Sequence, residues 1–118
     1  MEDARLSATK FYTVRPNQPI SLTVVVGDNQ VGGTAVQLNG VTVPVNQAGP
    51  TPIGASGQNL QNSLLQVVTT VKDQNPMTNR TSVTHSFSGG AANTSFPFEV
   101  SVKDEGGVAR YFITYILA

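Results

Sequence analysis

The chain has 118 residues, with seven basic and seven acidic side chains and a formal net charge of zero. It contains no cysteine, which excludes disulfides, thiol catalysis and zinc–thiolate sites. Balanced charge without a basic cluster argues against a nucleic-acid partner, and 39% hydrophobic residues at zero net charge exclude a disordered chain.

Residues 1–8 carry acids and no apolar run, so they read as a loosely ordered lead-in and not as a signal peptide. No apolar stretch is long enough for a helix to cross a bilayer, so no membrane insertion is expected. The compartment implied is the cytoplasm, or export by a signal-less or trimmed form. A strand is predicted over Lys10 to Arg15, followed by a turn at Pro16-Asn17-Gln18-Pro19, where two prolines fix φ. Ile20, Leu22, Val24 and Val26 then alternate with Ser21 and Thr23, the period of a half-buried strand.

The strongest local signal spans Thr34 to Val45. Asn39-Gly40 suits a type I′ turn, and a two-residue loop sets Leu38 opposite Val41 and Val36 opposite Val43. Pro44 cannot donate to a ladder, so the second strand belongs at a sheet edge or a bulge. Asn46 to Asn62 reads as a long loop rich in Gly, Pro, Ser and Gln.

Ser63 to Lys72 is ambiguous by spacing, since Leu60, Leu64, Leu65, Val68 and Val71 would also line a helix. The β-branched run from Val67 to Val71 decides for a strand, entered through a helical turn near Gln58 to Asn62. Further strands are predicted over Thr81 to Phe87, Phe96 to Lys103 and Val108 to Leu117.

Seven or eight short strands and no long helix define an all-β chain. The architecture predicted is one domain, residues 1–118, folded as a two-sheet antiparallel β-sandwich. A small β-barrel is the alternative. The outline resembles that of immunoglobulin domains, without the disulfide and tryptophan that mark antibody domains.

Catalysis finds little support. His85 is the single histidine, and its phase with Val83 and Phe87 points it into the packed face. No orienting carboxylate lies nearby in sequence, and no nucleophile elbow or Gly-rich phosphate loop is present. The expectation is a non-enzymatic protein that needs no cofactor.

With successive strands antiparallel, connections alternate between two ends of the sandwich. One end would hold Asp73, Asn75, Asp104 and Glu105, oxygen donors that suit calcium, with arginines close by. The other would hold Asp28, Asn29, Gln30, Asn46, Gln47, Gln58, Asn59 and Asn93, neutral polar loops of the kind that bind ligands, including carbohydrate. Those loops lack the aromatic platform a sugar site normally uses.

The last strand is apolar on both sides. Tyr111, Ile113, Tyr115 and Leu117 are read as its interface, against a protein partner or a second copy of the chain. The function implied is a binding or structural module working through protein contacts or self-assembly. The alternative is a lectin-like or calcium-assisted domain that uses the loops at one end.

Overall fold

The computed structural model of the chain describes residues 4–15, 18–28, 30–47, 49–54, 60–104 and 106–118. Among them are nine strands: β1 (Ala4–Tyr12), β2 (Ile20–Val26), β3 (Val31–Leu38), β4 (Val41–Val43), β5 (Thr51–Gly54), β6 (Ser63–Lys72), β7 (Arg80–Ser88), β8 (Thr94–Ser101) and β9 (Val108–Leu117). They form a five-stranded sheet, β1-β9-β6-β3-β4, and a four-stranded sheet, β5-β2-β7-β8. Neither closes on itself, so the fold is a β-sandwich and not a barrel. No helix among the described residues is long and apolar enough to cross a membrane.

Burial follows the period of two. Alternate residues of β6, β7 and β9 are buried, and their neighbours are half-buried or exposed. The hairpin has the predicted register, Leu38 opposite Val41 and Val36 opposite Val43. Asn39 and Gly40 both take positive φ, 49° and 82°, as a type I′ turn requires. The Asn39 side chain then ties this hairpin to β6, accepting from the Leu64 N–H at 2.9 Å and donating to Ser63 Oγ at 3.1 Å. β6 is a strand along its whole predicted length, with Leu60 helical and Gln61–Asn62 a turn just before it; Gln58 and Asn59 lie outside the described residues.

Two differences from the sequence reading matter. The first is at the N-terminal side, where Ala4 to Ala8 belong to β1 and are not a lead-in. β1 pairs in parallel with β9, from Ala4 opposite Ala109 to Tyr12 opposite Leu117. Its partner lies more than a hundred residues away, Ala4 to Ala109, so nothing local in the sequence marks it.

The second is β5. This short strand interrupts the predicted 46–62 loop and pairs with β2. Thr51 and Ile53 face the core, while Pro52 points out. One additional strand reverses the direction of every strand after it. Connections β2–β3, β6–β7 and β8–β9 therefore share one end, and β1–β2, β3–β4, β5–β6 and β7–β8 share the other.

All three tyrosines reach from the five-stranded side to the four-stranded side. Tyr111 OH and Thr81 Oγ1 lie 2.6 Å apart, and Thr81 Oγ1 donates to the Val100 carbonyl, so the tyrosine must be the donor between them. Tyr115 OH lies 2.7 Å from His85 Nδ1. Tyr12 OH donates to the Ala92 carbonyl at 2.9 Å and accepts from the Gly90 N–H at 3.0 Å. These pegs fix how one sheet sits over the other, which apolar packing alone specifies less sharply. Around them Phe87 stacks on Tyr12 with centroids 4.7 Å apart and meets Tyr115 edge-on at 4.7 Å.

Gly89, which follows β7, has φ 93°, and a Cβ there would collide with the Pro19 carbonyl oxygen. Gly89→Ala is expected to lower the unfolding free energy by about 2–3 kcal/mol, read by urea titration. A loss within experimental error of zero would show that this turn can rearrange.

Candidate interaction surface

The two sheets differ in what their outer faces expose. On the four-stranded sheet, outward positions are largely hydroxyls, among them Thr23, Ser82, Thr84, Ser86 and Ser95, with Val25 as its one large exposed aliphatic among the described residues. Ser86 and Ser95 hydrogen-bond each other across the strands at 2.8 Å.

The outer face of the five-stranded sheet is built differently. Strand register lays Phe11, Ile116 and Leu64 side by side across β1, β9 and β6. A polar band follows: Thr9, Thr114, Gln66, Gln37 and Thr42, one residue from each strand. Below it lie Phe112, Val68 and Ala35, and then Arg5, Arg110 and Thr70. Phe11 is 68% exposed and Leu64 47%, large values for apolar side chains within strands. Ala35, Gln37, Gln66, Val68, Phe112 and Thr114 surround a shallow depression of about 230 Å³. The Arg5 guanidinium lies over the Phe112 ring, 4.4 Å from its centroid. Among the described residues this face carries no carboxylate, so it is apolar across its upper part and cationic below.

This arrangement corrects the predicted interface. Tyr111, Ile113, Tyr115 and Leu117 point inward and are buried in the core. They are the pegs and packing of the sandwich and cannot meet a partner. The open side of β9 carries Val108, Phe112, Thr114 and Ile116 instead. Both phases of this strand are apolar, so periodicity alone could not assign the faces; the buried partners of the tyrosine hydroxyls do.

His85 is fully buried, with a π-contact to Phe98. Burial lowers its pKa to about 4, so the ring is neutral at physiological pH. Burial also raises the pKa of Tyr115, which keeps its proton. The assignment that uses every hydrogen has Tyr115 OH donating to Nδ1 and Nε2–H directed at Thr69 Oγ1, 3.4 Å away. Thr69 in turn lies 3.1 Å from Thr34 Oγ1. With both ring nitrogens engaged inside the core, His85 is a cross-sheet bridge and is out of reach of any substrate at the surface.

The end formed by connections β2–β3, β6–β7 and β8–β9 brings Asp28, Gln30, Asp73, Asn75 and Asp104 together, mixing residues the sequence reading placed at opposite ends. Gln30 is buried and organises it. Its Nε2 donates to Asp73 Oδ1 at 2.8 Å and to the Arg80 carbonyl at 3.1 Å. Its Oε1 accepts from the Gln74 and Asn75 N–H groups at 2.7 and 2.9 Å. Asp28 pairs with Arg80 at 2.9 Å, and hydrogen bonds from Arg80 and Ser82 hold its carboxyl below its ordinary value.

Of the four residues proposed for calcium, Asp73 is buried against Gln30, and Asn75 spends its carbonyl oxygen on the Met77 N–H and its amide on the Asp28 carbonyl. Asp104 is exposed, and Glu105 lies outside the described residues. No group of three or more His, Asp or Glu among the described residues is placed to hold a metal ion.

The ligand-loop residues do not form one site. Asp28 and Gln30 sit at the end just described, and Asn93 is exposed at the other. Asn46 and Gln47 lie between β4 and β5, where the Gln47 amide pairs with the Thr34 backbone, donating to its carbonyl at 3.0 Å and accepting from its N–H at 3.1 Å. Asn29, Gln58 and Asn59 lie outside the described residues. Comparison with protein-family models, curated proteins and solved structures finds no match to this chain.

Proposed function

We propose that this chain is a non-catalytic structural module that works by self-association, with its five-stranded sheet as the contact surface. One observation carries the reading: the asymmetry between a hydroxyl-covered outer face and one that exposes Phe11 and Leu64 beside the half-buried Ile116 and Phe112. Large exposed apolar side chains gathered on one face of a β-sandwich are the usual mark of a protein contact. Neutral net charge offers little long-range repulsion between copies. The histidine, the one side chain that ordinarily titrates near neutral pH, is committed to the core, and this supports binding over chemistry.

Sedimentation velocity from micromolar to millimolar protein tests the reading. The wild-type chain is expected to show concentration-dependent association, and Phe11→Lys/Leu64→Lys to weaken it at least about tenfold. Both positions are exposed, so the fold should survive, as circular dichroism would verify. A wild-type chain that stays monomeric throughout would overturn the proposal.

A further inference from the structure

We infer that the free edge of β1 is a strand-addition site for a second copy of this chain, joined antiparallel about a two-fold axis at Ala8. The inference rests on the self-association reading and specifies its geometry. A sandwich of two open sheets has four edges, each a row of unpaired backbone groups that can template another strand. Three are obstructed here. β4 is three residues long and runs into Pro44, and the Gln47 amide occupies the next backbone groups of β3. β5 is four residues long and contains Pro52. β8 carries Pro97 at its middle, where no N–H is available.

β1 differs on every count. It is nine residues long, Ala-Arg-Leu-Ser-Ala-Thr-Lys-Phe-Tyr, without proline or glycine. It hydrogen-bonds to β9 on one side and, among the described residues, to no strand on the other.

The sequence of β1 is complementary to itself in the antiparallel sense. With Ala8 on the axis, Arg5 of one copy faces Phe11 of the other, Ser7 faces Thr9, Leu6 faces Lys10 and Ala4 faces Tyr12. Cation meets aromatic, hydroxyl meets hydroxyl, and small meets large; each pairing keeps inward residues with inward and outward with outward. Within its own chain Arg5 already lies over an aromatic ring, that of Phe112, on the same outer face. A parallel pairing in register would set Arg5 against Arg5 and Lys10 against Lys10, like charges directly opposite each other. The antiparallel dimer covers the most exposed aromatic of the five-stranded sheet and fuses two such sheets into one.

Charge exchange at the exposed pair Ser7 and Thr9 tests the pairing. Ser7→Glu/Thr9→Glu and Ser7→Lys/Thr9→Lys each place like charges opposite each other twice per dimer. Each alone is expected to lose association at least about tenfold, and an equimolar mixture to recover it as the mixed dimer. The chain has no native cysteine, so Ala8→Cys should cross-link across the axis under mild oxidation, while Ser101→Cys on β8 should not. Association that ignores the charge exchange but is lost in Leu64→Lys would leave self-association standing and overturn the β1 pairing. Failure of the mixture to recover, or equal cross-linking at Ser101→Cys, would overturn it as well. A chain that never associates would remove both.

Discussion

The unfolding free energy is expected to fall by about 3 kcal/mol as the pH drops from 7 to 4, through His85 alone. In the folded chain the ring titrates near 4, and in the unfolded chain near its ordinary 6.5. Between those values the unfolded state binds a proton that the folded state refuses. The stabilising contribution is therefore complete above pH 6.5 and is lost as the pH falls toward 4. Asp28 has its own window. Its carboxyl is held below the ordinary 3.8, so its loss begins only under more acid conditions and does not mask the first. Urea titrations across the range would give the slope directly. His85→Gln can still accept from Tyr115 OH and donate to Thr69 without titrating, so its stability should be flat where the wild type declines. A wild-type curve without slope above pH 4, or the same slope in the variant, would mean that the imidazole is reached by water.

Gln30→Ala is expected to cost about 3–5 kcal/mol, the largest single effect foreseen for a polar residue here. The side chain satisfies two backbone N–H groups and the Arg80 carbonyl while donating to Asp73, and its removal strips the buried Asp73 side chain of that donor. Among the described residues Asp73 Oδ2 already has no hydrogen-bond partner, so Oδ1 would join it. Most of the cost should come from this stranded group and not from the lost contacts. A double-mutant cycle with Asp73→Ala separates the two: the second substitution should cost much less in the Gln30→Ala background than in the wild type. Additive costs would show that the two side chains act independently and that Gln30 does not stabilise Asp73.

Secondary structure was legible wherever it depends on near neighbours. The β-branched run in β6 outweighed a helical spacing because its side chains crowd a helix and suit a pleated surface. Asn39-Gly40 set both the turn and the register of its hairpin because only that register keeps Leu38, Val41, Val36 and Val43 on one face. The position of His85 in the core followed from its phase alone. β5 is not legible in the sequence because Thr51-Pro52-Ile53-Gly54 is too short and too proline-marked to show a period. This strand has consequences out of proportion to its length, since it exchanges the ends of every later connection and brings Asp28 and Gln30 to the end that holds Asp73.

The sequence by itself determined that the chain makes strands, where most of them run, and that the histidine is buried, because each of these follows from alternation over a few residues. Tertiary structure alone decided which side of β9 is core, which loops share an end, and that β1 lies beside β9. Those outcomes depend on partners such as Thr81 for Tyr111, His85 for Tyr115 and Gln30 for Asp73, thirty to more than forty residues apart. A pattern apolar on both faces carries no preference until such partners supply one.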